Sequence, residues 1–288
     1  MENLFRVPQK IIVLGLLFFF FSCSQDEMID NDSLKTSSES LSNSEITSRK
    51  DHIVFKGPEV EIGNGIVRSW FKVGKDEMPL EIGIVMTPGA LTGLPDTGGS
   101  GATIVLPLHL KATQLTPFKH IGLNWNPHGH PPPGIFDAQH FDIHFYMISN
   151  EERLAIPNYS PTTHPLFNNL PSTDYRPLGY ISPNGPGEGQ MGKHWVPVSI
   201  FQPGFFFTKI MIYGSFNGKF IFVEPMVTLD YLLSNPDSRG NPYSQPQYFE
   251  KAGYYPTEYN VYYDSKTGNT NITLSKFAPG GPPTQASL

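Results

Sequence analysis

The chain has 288 residues and a formal net charge of -6, and it contains 28 prolines, 27 glycines and a single cysteine. So many helix breakers argue against a helical bundle, while the length and an apolar content of 39% suffice for one large folded domain. One cysteine excludes an internal disulfide framework and any zinc site built on two thiolates of this chain. The acidic balance provides no electrostatic surface for nucleic acid.

The first 22 residues are typical of a secretory signal peptide. Arg6 and Lys10 precede an apolar run over 11–21, which is too short to span a bilayer. The run is followed by Ser22 and Cys23, and residues 20–23 resemble the lipobox of a bacterial lipoprotein, although phenylalanine stands where leucine is more usual. This resemblance implies that Cys23 is lipidated and anchors the protein in the membrane. The alternative is an ordinary cleaved signal with an incidental cysteine.

The segment behind the cysteine is polar and acidic. Residues 24–27 resemble the tag that directs some outer-membrane lipoproteins to the cell surface. We therefore expect a lipoprotein of the outer membrane, and the tag further implies that it is exposed on the cell surface. Residues 23–51 are rich in serine and aspartate and lack aromatic side chains, which predicts a disordered tether. Because residues 24–51 carry seven acids and three bases, most of the net negative charge belongs to this tether.

Residues 52–288 contain short strand patterns separated by glycine and proline turns. The pattern predicts a single all-β domain, an antiparallel barrel or sandwich, with one or two short helices at 150–155 and 226–234. The predicted strands are 59–62, 66–73, 80–86, 102–108, 120–125, 140–148, 205–213, 219–223, 259–263 and 271–277. Two long loops, 158–171 and 182–192, are rich in proline, asparagine and glycine, and we expect them to form a rim over one end of the sheet.

Histidines are concentrated in one part of the chain. Five of the nine fall within 25 residues, namely His120, His128, His130, His140 and His144. From residue 140 onwards apolar and polar residues alternate, so a strand would place His140, Asp142 and His144 on the same face. Positions two apart on a strand lie about 7 Å from each other and can share a site, whereas positions four apart lie about 13 Å away. Asp142 can therefore pair with either histidine.

These residues are candidate ligands of a divalent metal. One ion could take one or both of His128 and His130, one histidine of the strand, and further ligands from elsewhere. Two such outside candidates are His194, which follows a glycine-rich loop, and Glu224, which ends a strand. Imidazole and carboxylate ligands suit zinc, manganese, iron or copper and do not distinguish among them. The alternative is a structural hydrogen-bond network without an ion.

A nucleotide cofactor is not expected. Residues 187–192 have the spacing of a dinucleotide-binding fingerprint, but they lack the preceding strand and following helix that the phosphate contacts require.

Several sequence blocks in order resemble a bacterial secreted β-barrel family of unknown function, whose structural prototype is a thermophile protein under sigma-E and anti-sigma control. The resemblance is strongest over 115–235. The blocks are NWNP at 124–127, GHPP at 129–132, HFDIHFY at 140–146, MGKHW at 191–195, IYGSFNG at 212–218 and EPMVT at 224–228. It implies a secreted all-β domain and supplies no activity. The polar positions that match the blocks are His130, His140, Asp142, His144, His194 and Glu224. The resemblance implies no histidine at the position of His128, which makes His128 a weaker candidate ligand.

The sequence thus predicts a lipid-anchored envelope protein with a histidine-rich site for a metal or an unidentified small ligand. Two other functions stay open. One is a metal-dependent enzyme that activates water or dioxygen, with His144 or Glu224 as ligand or base. The other is an adhesion or assembly module whose contact surface is a tyrosine-rich C-terminal hairpin, and homo-oligomerisation is also left open. The tyrosines of this hairpin are Tyr254, Tyr255, Tyr259, Tyr262 and Tyr263.

Overall fold

A computed structural model describes residues 51–97 and 102–284, and fourteen strands lie within these ranges. The first seven are β1 His52–Lys56, β2 Val60–Ile62, β3 Gly65–Gly74, β4 Pro79–Met86, β5 Ile104–Pro107, β6 His120–Asn126 and β7 His140–Tyr146. The other seven are β8 Tyr180–Ile181, β9 Lys193–Pro197, β10 Lys209–Phe216, β11 Lys219–Thr228, β12 Asp237–Pro242, β13 Gly253–Asp264 and β14 Asn269–Gly280. The predicted signal peptide, Cys23 and the tether up to residue 50 lie outside the described residues.

The strands form two antiparallel sheets of seven strands each. Sheet I has the order β1-β3-β4-β14-β13-β12, with β2 also paired to β3, and sheet II has the order β5-β6-β7-β11-β10-β9-β8. Each order has two different end strands, so neither sheet closes on itself in the part of the chain that the structure describes. The all-β prediction is confirmed, and of its two architectures the sandwich is correct and the barrel is wrong.

The sandwich core is built from the inward-facing residues of both sheets. Along β7, Phe141, Ile143 and Phe145 are fully buried in the same apolar cluster as Phe71 and Ile84 of sheet I. Alternation along the strand then turns the polar residues of β7 to the opposite, outer face of sheet II. Burial of one such phenylalanine or isoleucine stabilises the fold by roughly 1.5–3 kcal/mol. Because these apolar side chains must face the core, the polar side chains between them must face outwards.

All ten predicted strands are present, with shifted ends, and four further strands were missed. Three of these, β1, β8 and β12, are short or polar, and the fourth, β9, follows directly on a glycine-rich loop. The turn between the predicted strands 205–213 and 219–223 is tighter than their predicted ends imply. Only Asn217 and Gly218 lie between β10 and β11, and both have positive φ angles of 46° and 85°.

The described residues contain four short α-helices, where one or two were expected. They are α1 Leu110–Leu115, α2 Asn150–Leu154, α3 His164–Asn168 and α4 Leu229–Leu233. Helix α2 begins with a capping box in which Ser149 and Glu152 bond each other's backbone N–H groups. Helix α4 begins later than predicted, because residues 226–228 extend strand β11 and pair with β7 and β10. Short 3-10 helices lie at Pro88–Leu91, Thr173–Tyr175 and Val198–Phe201.

The C-terminal tyrosines are divided between interior and surface. Tyr255, Tyr259 and Tyr262 are buried, while Tyr254 and Tyr263 are half-buried. All described residues belong to one compact unit. Within them, no helix has the length and apolar character needed to cross a bilayer.

The two long loops lie on the outer face of sheet II. The loop at 158–171 contains α3, whose Phe167 is buried against Phe222 of β11 and Tyr146 of β7. In the second loop, the Tyr146 hydroxyl donates a hydrogen bond to the Gln190 carbonyl at 3.3 Å. These loops therefore cover part of the polar outer face of sheet II.

Candidate metal centre

The outer face of sheet II gathers the candidate ligands by strand register. Strand β7 pairs with β6 on one side, where Asn126 lies opposite His140 and Asn124 opposite Asp142. On its other side it pairs with β11, where Met226 lies opposite Asp142 and Phe222 opposite Tyr146. The same register places Glu224 opposite His144. The polar side chains of three neighbouring strands thus project from one surface.

The first group of side chains surrounds Asp142, and we call it the Asp142 cluster: His130, His140 and Asp142. The His140 Nε2 atom lies 3.1 Å from Asp142 Oδ1, and the His130 Nε2 atom lies 3.4 Å from Asp142 Oδ2. The Asn126 side-chain amide donates a hydrogen bond of 2.7 Å to Asp142 Oδ2. One potential ligand atom from each member lies within 4.8 Å of the others, so the three can share one ion.

Backbone carbonyls orient both imidazoles of the Asp142 cluster. His140 Nδ1 lies 2.6 Å from the Ala138 carbonyl oxygen, and His130 Nδ1 lies 2.8 Å from the Pro131 carbonyl oxygen. A carbonyl can only accept, so each Nδ1 carries the proton and each Nε2 faces Asp142. A neutral Nε2 would then direct its lone pair at a carboxylate oxygen, an arrangement that becomes favourable only when a proton or another cation lies between them. A carbonyl bond at Nδ1 is also the usual support of a metal-bound histidine.

The second group, the Glu224 cluster, consists of His144, His194 and Glu224. Glu224 Oε2 lies 3.4 Å from His144 Nε2 and 3.8 Å from His194 Nε2, and the three potential ligand atoms again lie within 4.8 Å of one another. His144 and Glu224 are almost completely buried. Both ring nitrogens of His144 and the Oε2 atom of Glu224 have no hydrogen-bond partner among the described residues. Buried polar atoms without a hydrogen-bond partner are rare in native proteins, so their presence here needs an explanation, such as a bound ligand.

A glycine allows His194 to approach Glu224. On β10, Gly214 lies opposite His194 of β9 and opposite Phe222 of β11. A Cβ atom at Gly214 would meet the Phe222 ring at 2.0 Å. Because the glycine has no side chain, the Phe222 ring fills the space above it and packs against both His144 and His194, with ring centroids 4.8 and 5.6 Å apart. The absence of one side chain therefore shapes the wall of the Glu224 cluster.

The Asp142 cluster is charged. Burial alone would raise the pKa of Asp142, but the two histidines beside it outweigh burial and hold that pKa below its usual range. Burial alone would lower the pKa of His130, but hydrogen bonding to and attraction by Asp142 outweigh it, and the pKa of His130 is raised. Asp142 is therefore ionised, and the raised pKa of His130 favours a protonated imidazole beside it.

The Glu224 cluster is neutral. Burial raises the pKa of Glu224 well above its usual range, and the nearby carboxylates of Asp142 and Glu188 add to this effect. Burial also lowers the pKa of His144 to about 3 and that of His194 to about 4. The two imidazoles are therefore uncharged at neutral pH, and burial favours the protonated form of the carboxyl group beside them.

The chemistry of both groups fits a transition-metal ion. Two imidazole nitrogens and one carboxylate oxygen are borderline-hard ligands, and three protein ligands leave coordination positions open for water or another molecule. In each cluster one histidine is accessible to solvent: the His130 side chain is 31% exposed and that of His194 is 29% exposed. Solvent can therefore reach both groups. Apolar walls flank them, with Phe136 and Phe207 beside the Asp142 cluster and Phe222 beside the other.

The structure thus brings all six candidate ligands to one surface but divides them into two groups of three, where a single site was expected. His128 belongs to neither group. Its side chain is 60% exposed and lies 3.3 Å from Asp96. Sequence reasoning missed Asn126, which the polar alternation of β6 could have indicated.

Comparison with protein-family models places part of the chain beside a known family. A model of the family described as TTHB210-like, after the hypothetical protein TTHB210, matches residues 74–125. This segment runs from the end of β3 to β6 and overlaps the blocks noted in the sequence only at Asn124 and Trp125. It agrees with the resemblance to a thermophile protein family of unknown function, and it contains none of the six candidate ligands. No curated protein and no solved structure matches the chain.

Proposed function

We propose that this chain is a lipid-anchored protein of the bacterial cell envelope whose β-sandwich binds divalent transition-metal ions at the Asp142 and Glu224 clusters. The observation that carries the metal-binding part is the convergence of unpartnered, buried polar atoms. They are His140 Nε2, Asp142 Oδ1, both ring nitrogens of His144, and Glu224 Oε2. Leaving such atoms unpaired costs about 1–3 kcal/mol each, and an ion bound in each cluster would remove that cost for the atoms that bind it, which include one ring nitrogen of His144.

The metal-binding proposal is tested on protein purified without a histidine tag. Elemental analysis should find bound zinc, manganese, iron or copper, and adding the preferred ion to metal-free protein should raise the melting temperature, because a ligand of the folded state stabilises it. His144→Ala and His140→Ala should each lower the metal content. His128→Ala and His164→Ala serve as matched controls, since both side chains are exposed and lie outside the clusters. Less than about a tenth of an equivalent of metal, with no thermal shift, would exclude the function.

The anchor is tested separately. The support for it is the signal-like segment that ends at Cys23. In bacterial cells that produce the protein, Cys23→Ala should move it from the membrane fraction to the soluble fraction. In the unaltered protein, Cys23 should incorporate labelled fatty acid. Unchanged fractionation of the variant, with no label on the unaltered protein, would leave an ordinary cleaved signal as the correct reading.

A metal-dependent enzyme is the second candidate function. It is favoured by the number of protein ligands, three in each group, and by the solvent-accessible histidine in each. Structural zinc sites usually have four protein ligands, whereas catalytic sites keep a position for water or substrate. Azide should therefore change the visible absorption spectrum of the cobalt form. A cobalt spectrum that azide leaves unaltered would favour a closed binding site instead.

A further inference from the structure

Residues of both sheets line a cavity at one end of the sandwich. Its volume is about 480 Å³, within the range of about 300–1,000 Å³ that is usual for small-molecule sites. Sheet II contributes the residues that follow β7 and the hairpin between β10 and β11, and sheet I contributes the start of β13. Helix α2 and the segment 246–251 complete the wall. The six candidate metal ligands are not among its lining residues, so the cavity is separate from both clusters.

The inner wall of the cavity is largely aromatic. Seven aromatic side chains line it, of which Tyr213 and Tyr255 are buried. The Tyr213 hydroxyl donates a hydrogen bond of 2.7 Å to the Ser244 carbonyl, and the Tyr255 hydroxyl donates one of 2.8 Å to the Lys251 carbonyl. Because both hydroxyl protons are already bonded within the protein, a ligand rich in hydroxyl groups would leave some of its own groups unpaired. The interior therefore suits an apolar or aromatic body.

The segment 246–251 is held in place by the protein itself. The backbone N–H groups of Tyr248 and Phe249 donate to carbonyls of distant parts of the chain, at 3.1 and 3.0 Å. The Phe249 ring stacks on Tyr255, with ring centroids 3.6 Å apart, and lies over Gly280, where a Cβ atom would meet it at 2.6 Å. The aromatic wall is thus formed before any ligand binds, which lowers the entropy that binding would cost.

Charged side chains surround the entrance of the cavity. Lys219 and Lys251 are exposed there, and within the described part of the chain neither ammonium group has a hydrogen bond or an ion pair. The Glu152 carboxylate is already bonded at 2.7 Å to a backbone N–H in the capping box of α2. Burial and the charge of Lys251 lower the pKa of Lys119, so a third lysine lies close by. Together with Glu250, these groups give the entrance a formal charge of +1.

We propose that this cavity binds a small amphiphilic anion, with an apolar or aromatic body in the interior and the anionic group at the entrance beside Lys219 and Lys251. Removal of the body from water supplies most of the affinity. The lysines orient the ligand and add a smaller attraction, because charges exposed to solvent interact weakly. A bound anion would also reduce the repulsion between Lys119 and Lys251. The site shares no residue with the metal clusters and does not depend on metal binding.

The test uses two fluorescent probes that differ in one group, 1-anilinonaphthalene-8-sulfonate and its uncharged counterpart N-phenyl-1-naphthylamine. Full-length protein without detergent should bind one equivalent of each. Ala155→Trp adds an indole ring to the cavity wall from an exposed position and should weaken the binding of both probes at least about 10-fold, because it occupies their space. The double variant Lys219→Gln/Lys251→Gln should weaken the sulfonate probe about 5-fold and leave the uncharged probe unchanged.

Matched controls separate these effects from general changes of the surface. Leu154→Trp adds the same ring at the neighbouring position, which is exposed and does not line the cavity. Lys75→Gln/Lys266→Gln removes two exposed positive charges elsewhere. Neither control should alter the affinity for either probe, and thermal melting shows that each variant is folded.

Each result decides between occupants of the cavity. Unaltered monomeric protein that binds neither probe, or binding that Ala155→Trp leaves unchanged, would overturn the site. Equal effects of the lysine double variant on the two probes would overturn the anionic class of ligand. Sedimentation velocity tests a second copy of the chain as the occupant. A dimer that binds neither probe and that Ala155→Trp dissociates would assign the cavity to that contact and overturn the small-ligand proposal.

Discussion

The Asp142 and Glu224 clusters contain the same types of side chain, two histidines and a carboxylic acid, yet their charge states are opposite. Asp142 is ionised and accepts a hydrogen bond from Asn126, and its two histidines are held by backbone carbonyls. Glu224 has no such donor at Oε2, and burial keeps it protonated. One cluster resembles a buried ion pair with its supporting hydrogen bonds, and the other resembles a set of neutral groups that lack partners.

The difference shows that ligand type alone does not determine the charge of a site. A buried carboxylate stays ionised only when donors replace the water that it has lost, and here a single asparagine and a loop histidine supply them on one side of the surface. The Glu224 side consists instead of aromatic neighbours, Phe222 and Tyr146, which exclude water without donating to the carboxyl group.

The largest expected effect comes from neutralising each carboxyl group in metal-free protein. Asp142→Asn weakens the hydrogen bonds that the carboxylate accepts from Asn126 and His130, so we expect it to lower the free energy of unfolding by about 3 kcal/mol. Glu224→Gln replaces one neutral group by another of nearly the same shape, so we expect a change below about 1 kcal/mol. Urea unfolding at neutral pH measures both. Equal losses in the two variants would show that the clusters do not differ in charge.

The division into two clusters could not be read from the sequence. Alternation along β7 correctly placed His140, Asp142 and His144 on one face but left open which histidine Asp142 would join. The answer depends on β6 and β11, because Asn126 and Glu224 reach β7 only through strand register. Register is set by packing between residues about 16 and 80 positions apart, on which periodicity within one strand carries no information.

The fold could be predicted from the sequence to a similar extent. Strands with regular alternation, such as β6 and β7, were found because a buried face leaves a periodic pattern. Strand β12, Asp237–Pro242, was missed because its residues DSRGNP read as a turn. The choice between barrel and sandwich was also beyond local patterns. It depends on pairing such as that of Gly83 with Thr273, which brings β14 beside β4 and gives sheet I strands from both ends of the domain.

The stability of the protein in acid should depend on His120, a further neutral histidine beside the Glu224 cluster. His120 is buried, stacks on Tyr146 with ring centroids 4.8 Å apart, and has its pKa lowered to about 4 by burial and by Arg153. The unfolded chain takes up this proton near pH 6.5, before the folded protein does. Stability is therefore complete above pH 6.5 and is lost as the pH falls towards 4.

His120→Phe keeps an aromatic ring and removes the titrating group. Between pH 7.5 and 4.5 the unaltered protein should lose about 2.5 kcal/mol more of its free energy of unfolding than the variant does. Urea unfolding at the two pH values gives this difference, and His164→Phe, at an exposed position, is the control. If the pKa of His120 were raised as that of His130 is, the variant would instead lose more stability on acidification than the unaltered protein. His120 would then resemble the charged Asp142 cluster.

The smallest effects come from removing one hydrogen bond on each side while keeping the volume of the side chain. Asn126→Leu deletes the amide that donates to Asp142 Oδ2 at 2.7 Å, and Tyr146→Phe deletes the hydroxyl that donates to the Gln190 carbonyl at 3.3 Å. A bond to a charged group contributes about 1.5–3 kcal/mol and a bond between neutral groups about 0.5–1.5 kcal/mol. We therefore expect Asn126→Leu to lower the free energy of unfolding by about 2 kcal/mol and Tyr146→Phe by about 1 kcal/mol.

This pair also tests the cause of the charge difference. In Asn126→Leu the carboxylate of Asp142 loses the hydrogen bond from the Asn126 amide, so its pKa should rise towards the ordinary value, which carbon-13 NMR of the carboxyl group can follow in metal-free protein. Tyr146→Phe leaves the Asp142 cluster untouched, so the same resonance should keep its pH dependence. A pKa of Asp142 that stays equally low in both variants would assign its ionisation to the two histidines alone. The asparagine would then stabilise the fold without setting the charge of the site.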